Sequence, residues 1–264
     1  MTGDNMNIVY TGATSGIART TISYLKRIRD VQLYLLVHNK EQIKPLQELY
    51  QENCKIHIWK MDITKETDYH KLDSIHVDVV VHNAATTYGG SLFELSMEKV
   101  RDNFEVNVFG TLQFTQYLFH KFQKQGHGRM VYISSLAGVI PIPFIGSYAS
   151  TKASISMMVK IMQKEAKKLD FPLEIVLVEP GLYHTGFNNR MFLGPFDEMK
   201  SPYFQKQKKK IEQEEQWLLK LFERKSKKTI ARQIYHAITD QYPKAVYRAP
   251  FFQSIGAKFY QLFL

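Results

Sequence analysis

Short β-branched runs alternate with longer amphipathic stretches through the first 180 residues, the arrangement that a parallel sheet covered by helices demands. Asn7–Thr11, Gln32–Val37, Lys55–Trp59, Val77–His82, Gly128–Ser134 and Leu173–Glu179 read as strands. Between them the pattern predicts helices from about Ile17, from Lys40, over Glu98–His120 and over Tyr148–Leu169. The pattern changes after Gly181: residues 182–228 are rich in Phe, Met, Lys and Gln, show no strand signal and are too long for an ordinary connection. We expect a lid over a pocket there, ordering when the pocket fills, with Phe187, Phe192, Phe196 and Tyr203 turned to a ligand. A helix over Thr229–Thr239 and a short strand at Ala245–Tyr247 follow. The implied class is α/β, a doubly wound parallel sheet in three α/β/α layers, with 1–264 as one domain.

Composition narrows the class. With 264 residues, 44% hydrophobic and 23% charged, the chain is neither disordered, collagen-like nor a coiled coil. The sole cysteine, Cys54, leaves no internal disulfide and no cysteine-based zinc site, and it favours a reducing compartment. The start, MTGDNMNIVYTGATSG, has neither the basic onset nor the apolar run of an export signal, so a cytoplasmic location is expected. The net charge of +10 is concentrated: residues 200–264 hold 14 Lys/Arg against 5 Asp/Glu. A near-neutral body argues against nucleic acid as a partner. The basic, amphipathic end from Phe251 to Leu264 is compatible with peripheral membrane contact, subunit packing or a pocket wall. The nine histidines show no H-E-x-x-H or paired metal spacing, and no metal is expected.

Ile8-Val9-Tyr10 runs straight into Thr11-Gly12-Ala13-Thr14-Ser15-Gly16-Ile17-Ala18. A strand, a glycine turn and a helix start in one dozen residues form a phosphate cradle: glycine allows close approach, and the first helical amides offer free donors at a positive dipole end.

Further motifs follow in order. His82-Asn83-Ala84-Ala85 ends the fourth strand, Asn107-Val108-Phe109-Gly110 lies in the long helix, and Ile133-Ser134-Ser135 ends the fifth strand. Tyr148-Ala149-Ser150-Thr151-Lys152 opens the next helix, and Pro180-Gly181 with Thr185 follows the sixth strand. Together with Thr11 to Ala18, where Ala18 replaces a third glycine, this series resembles the short-chain dehydrogenase/reductase family over nearly the whole chain. The Gly181–Phe187 stretch, the aromatic-rich lid and Tyr247-Arg248 are similar to its 17β-hydroxysteroid and retinol dehydrogenase branch.

The resemblance implies a Rossmann-like fold and NAD(P)-linked interconversion of a carbonyl and an alcohol. Tyr148 and Lys152, four apart, share one helix face. A phenol with a pKa near 10 is a weak acid–base catalyst at neutral pH, and an adjacent ammonium lowers that pKa, which gives Lys152 the tuning role. By resemblance Tyr148 is the general acid/base, Lys152 also binds the cofactor ribose, Ser135 donates to the substrate oxygen, and Asn107 holds a water linking Lys152 to solvent. The resemblance further implies cofactor contacts at Gly12, Ser15, Gly16, Ile17, His38, Asp62, Ile63, Asn83, Ala84, Ala85, Tyr148, Lys152, Pro180, Gly181 and Thr185.

An acidic residue ending the second strand would bind the ribose 2′-hydroxyl of NAD and repel a 2′-phosphate. Leu36-Val37-His38-Asn39-Lys40 has none, which favours NADP(H) over NAD(H) and marks Val37 as the place for an introduced Asp. The implied substrate is small and apolar: lipid-, steroid- or retinoid-like. The two long helices, with Phe114, Leu118, Ile155 and Val159 at helical spacing, imply a homodimer or homotetramer. Two other functions compete: a non-catalytic NADP(H)-sensing protein, which would need only part of the Asn107, Ser135, Tyr148 and Lys152 set, and an epimerase acting on nucleotide sugars, whose glycine spacing differs.

Overall fold

A computed structural model describes residues 6–50, 53–188, 191–192 and 203–262. Its centre is a seven-stranded, wholly parallel sheet of order β3-β2-β1-β4-β5-β6-β7. The strands are β1 Met6–Thr11, β2 Val31–Val37, β3 Ile56–Lys60, β4 Val79–His82, β5 Gly128–Ile133, β6 Leu173–Pro180 and β7 Val246–Ala249. The order reverses direction between β1 and β4, so a crevice opens there beyond the carboxyl ends of the strands, where open α/β sheets bind ligands.

The helices are α1 Gly16–Leu25, α2 Ile43–Tyr50, α3 Met97–Phe104, α4 Thr111–Gln125, α5 Gly146–Ala166, α6 Lys208–Phe222, α7 Lys228–Thr239 and α8 Phe251–Leu262. On one face of the sheet α1 and α7 bury Ile22, Leu25, Ile230 and Ile234 against Ile8, Leu33 and Val176. On the other, Phe114, Leu118 and Phe122 of α4 pack with Ile155 and Val159 of α5 against Val9, Val80 and Leu177. The central strands are buried on both sides, which is why they read as unbroken apolar runs.

Three features depart from the sequence reading. The expected helix over Glu98–His120 is interrupted by a π-helical segment, Glu105–Gly110, between α3 and α4. Gly110 ends it against Ile63 and Thr64, where a Cβ would stand 3.2 Å from the Ile63 carbonyl oxygen and 3.0 Å from Thr64 Cγ2. Phe114, Leu118, Ile155 and Val159 lie buried under the sheet, so their stripe serves the core. The large apolar side chains that α5 and the π segment leave exposed are Phe109, Met157 and Ile161. Finally, residues 251–262, read only as an amphipathic end, form α8.

The β6–β7 seam is polar inside. Glu179, fully buried, accepts from Arg248 Nε at 2.6 Å through Oε2 and from Ser156 Oγ at 3.1 Å through Oε1. Ser156 in turn contacts Ser134 Oγ at 2.7 Å, and Ser134 donates to the Lys152 carbonyl.

Candidate active site

The turn after β1 is set by Gly12, whose φ of +62° is the left-handed conformation that glycine adopts without strain. A Cβ there would also stand 2.8 Å from Ala84 Cα, so the turns after β1 and β4 are in backbone contact. Thr11 and Asn83 stitch them together: Thr11 Oγ1 accepts from the amides of Asn83 and Ala84, both at 2.9 Å, and Asn83 Nδ2 donates to the Gly12 carbonyl at 2.9 Å. Ser15 caps α1 by accepting from the Ala18 amide at 3.1 Å. The amides of Gly16 and Ile17 have no acceptor among the described residues. A close glycine approach and two free donors at a helix N-terminus fit a dinucleotide pyrophosphate.

A cleft of about 1050 Å³ runs from this turn across the carboxyl ends of the strands. Of the residues named above, Gly12, Ser15, Ile17, Asn83, Ala85, Ser135, Tyr148, Lys152, Pro180, Gly181 and Thr185 line it. Ala84, half-buried, packs on Gly12. His38, Asp62 and Ile63 stand outside the lining, beside β2 and β3, where His38 Nδ1 lies 3.8 Å from Asp62 Oδ2. Strand alternation turns Val37 into the core and His38 into solvent, which corrects the position for an introduced carboxylate.

Tyr148 and Ser135 meet on the cleft floor. Burial pushes the Tyr148 phenol above its ordinary value, and a hydrogen bond with Ser135 acts in the opposite direction. Burial also draws the Lys152 ammonium from 10.5 down to about 8. Its Nζ donates to the Ile133 carbonyl at 2.9 Å and lies 5.7 Å from the centre of the Tyr148 ring. The expected lowering of the phenol pKa by Lys152 is thus not what the protein alone displays: both groups are desolvated, and the ammonium is aimed at a carbonyl. Asn107, inside the π segment, does not line the cleft. Its side chain accepts from the Thr86 amide at 2.7 Å and donates to the Thr86 carbonyl and to Thr151 Oγ1, bracing the loop after β4 against α5.

The far half of the cleft is apolar, with Ile142, Ile145, Leu182, Phe187, Met191 and Phe192 among its walls and Leu218, Leu221 and Phe222 contributed by α6. The Phe187 ring meets Tyr148 edge-on, with centroids 5.5 Å apart. The two ends of the 182–228 segment are tied: the Arg224 amide donates to the Leu182 carbonyl at 2.9 Å, and the His184 amide to the Arg224 carbonyl at 3.0 Å. Gln253 of α8 spans both ends, accepting from the Leu182 amide and donating to the Phe222 carbonyl. Phe192 is buried and Tyr203 is exposed, whereas Phe196 lies outside the described residues.

Two charged side chains take places in the fold that their sequence context did not indicate. Lys227, just before α7, lays its Cε 2.8 Å from where a Cβ on Gly16 would be, directly over the start of α1. Glu215, between Ile211 and Leu219 on the buried face of α6, has no hydrogen-bond partner for either carboxylate oxygen among the described residues, and burial, with the charge of Glu212, raises its pKa from 4.5 to about 8. Neither belongs to a motif, and only the tertiary fold brings Lys227 to the glycine turn.

The family profile for short chain dehydrogenases matches residues 6–194. The chain belongs to the short-chain dehydrogenase family. Similar curated proteins include an uncharacterized oxidoreductase, YusZ, of Bacillus subtilis, 30% identical over 185 residues, a match covering 67% of this chain and 65% of the relative. Another is an NADPH-dependent 3-dehydrocapnine reductase of Ornithobacterium rhinotracheale, 29% identical, with the same two coverages of 67% and 65%. Each match thus spans just under two thirds of the relative. Among solved structures, a short-chain dehydrogenase/reductase from Burkholderia phymatum in complex with NAD superposes with a TM-score of 0.77 at 18% identity, over 92% of this chain and 89% of that one. The likeness in fold therefore extends beyond the stretch that the profile matches.

Proposed function

We propose that the chain is an NADP(H)-dependent oxidoreductase that interconverts a carbonyl and an alcohol on an apolar, lipid-, steroid- or retinoid-like substrate, with Tyr148 as general acid/base. The observation that carries this reading is the meeting of Tyr148 and Ser135 at the junction of a phosphate-fitting turn and an apolar pocket. The nicotinamide cofactor supplies or accepts hydride when bound. Gly12, Ser15 and the free amides of Gly16 and Ile17 hold its phosphates, while Lys152 serves the ribose. Ser135 orients the substrate oxygen, and Tyr148 gives up its proton to that oxygen during reduction or takes it back during oxidation. Residues 182–228, with α6 over the apolar walls, keep water from the reacting atoms.

NADP(H) is favoured because positions 38–40, directly after β2, offer exposed His38 and Lys40 and no carboxylate. Phe251 and Phe252 are 70% and 75% exposed, and Phe252 lines the cleft with Leu221 and Phe222. That rim, in the cationic end of the chain, suits a peripheral contact with an anionic membrane from which an apolar substrate enters. Among the described residues, no helix is long and apolar enough to cross a membrane. Exposed Phe109, Met157 and Ile161 support pairing of subunits through the α4–α5 side, which light scattering tests.

The deciding experiment is a panel of apolar ketones, aldehydes and alcohols, followed by nicotinamide absorbance with NADPH and NADH. Reduction of apolar ketones with NADPH is expected. Tight cofactor binding without turnover on any carbonyl or alcohol would favour a sensing protein instead.

A further inference from the structure

At the amino-terminal edge of the sheet, opposite the cleft, three side chains converge that no linear spacing joins. His76 and Asp78 precede β4, and His127 precedes β5. Their ligand atoms all lie within 4.8 Å of one another. Nε2 of His127 is 3.2 Å from Asp78 Oδ1, Nε2 of His76 is 3.4 Å from the same oxygen, and the two imidazole centres are 5.2 Å apart.

The fold holds this arrangement in place. Val77, fully buried, anchors the chain between His76 and Asp78 just ahead of β4. Gln125 clamps Val77 by accepting from its amide at 3.1 Å and donating to its carbonyl at 2.8 Å. Gly126, with φ of +81°, ends α4 in the left-handed conformation and brings His127 back over β4. The Asp78 carboxylate is oriented by its other oxygen, Oδ2, which accepts from the Asn7 amide at 2.7 Å and leaves Oδ1 facing the imidazoles.

We propose that His76, Asp78 and His127 bind a divalent transition-metal ion, Zn²⁺ by ligand type. Two imidazoles and one carboxylate are a donor set for zinc and its late first-row neighbours, and hard cations such as Mg²⁺ prefer all-oxygen sites. Metal–ligand bonds of about 2.0–2.1 Å in a tetrahedron place neighbouring donors about 3.3 Å apart, which the two imidazole separations from Asp78 Oδ1 match, while the two imidazole donors lie within 4.8 Å of each other. Both imidazoles are about half exposed, so the metal can enter and a water completes the shell. The Asn7 amide is the outer partner that ligating carboxylates ordinarily have. The ion would fasten the α4–β5 turn to β4 and β1, remote from the reacting atoms.

The test is calorimetric titration of the tag-free full chain with Zn²⁺, alongside His76→Gln, His127→Gln and the double variant. Saturable binding of one ion is expected, weakened tenfold or more in each single variant and lost in the double. Zn²⁺ should raise the unfolding temperature of the unmodified chain and leave that of the double variant unchanged. NADPH titration of each variant reports whether it is folded. Absence of Zn²⁺ binding at micromolar free metal, or equal binding by the folded double variant, overturns the proposal.

Discussion

Val37 and His38, neighbours at the end of β2, face opposite ways: Val37 is buried in the core beneath α1, and His38 keeps 65% of its side chain in solvent. A carboxylate meant to choose between cofactors therefore belongs at 38. His38→Asp should turn selectivity from NADPH towards NADH by about tenfold or more, close to 1.4 kcal/mol. Val37→Asp should lose stability instead, because it buries an unpaired charge. Fluorescence titrations with both cofactors and a denaturant curve separate the two effects; unchanged selectivity in His38→Asp would remove this residue from the 2′-phosphate site.

Tyr148→Phe should lower turnover on the order of 10²–10⁴-fold, the usual worth of one positioned proton donor. Cofactor affinity should stay within about twofold, since the cradle at Gly12 and Ser15 is untouched, a change of under 1 kcal/mol. Steady-state rates beside NADPH titrations give the answer. A variant that retains most of its activity would mean the proton comes from another group.

Lys227 reaches the start of α1 from the far end of the chain. Lys227→Gln should weaken NADPH binding by about tenfold through loss of one charge-assisted contact, and the deficit should shrink as salt rises. Affinity measured at two ionic strengths checks this. A salt-independent loss would indicate that its aliphatic chain acts by packing alone.

Glu215 titrates near 8 in the folded protein against 4.5 when free, so folding takes up a proton between those values. Its contribution is fully present below about pH 4.5 and is lost as pH rises through 8. Glu215→Leu, continuing the Ile211–Leu219 face, should stabilise the chain by about 1–3 kcal/mol at pH 8.5 and by less at pH 5.5. Urea unfolding of both proteins at the two pH values tests it. An equal gain at both would assign the effect to packing rather than to the carboxylate.

The strands were legible because buried parallel strands are apolar end to end, and Tyr148, Lys152 and Ser135 were legible because helix and strand geometry fix their spacing in the chain. The π segment was not, since it answers to the approach of Gly110 to Ile63, a contact between distant segments. Lys227 and Glu215 lie in a lysine- and glutamate-rich stretch and belong to no motif, and only packing sets them apart. The same holds for His76 and His127, which become neighbours through the pairing of β4 with β5. Of the residues that the resemblance implied, Ser135, Tyr148 and Lys152 line the cleft, whereas Asn107 is occupied in bracing Thr86 and Thr151.

Glu179 and Arg248 bear on how parts of this protein can be exchanged. The stretch that matches the family profile ends at 194, yet the guanidinium that neutralises Glu179 arrives 54 positions further on, from β7. A chimera joined near 194 would inherit a fully buried carboxylate and would have to bring its own basic residue into register with it. Exchanging only the stretch between 188 and 223 instead keeps β7, α7 and α8 with their native sheet. The pocket walls of α6 then become a replaceable cassette, through which substrate choice could be altered while the charge pair beneath stays intact.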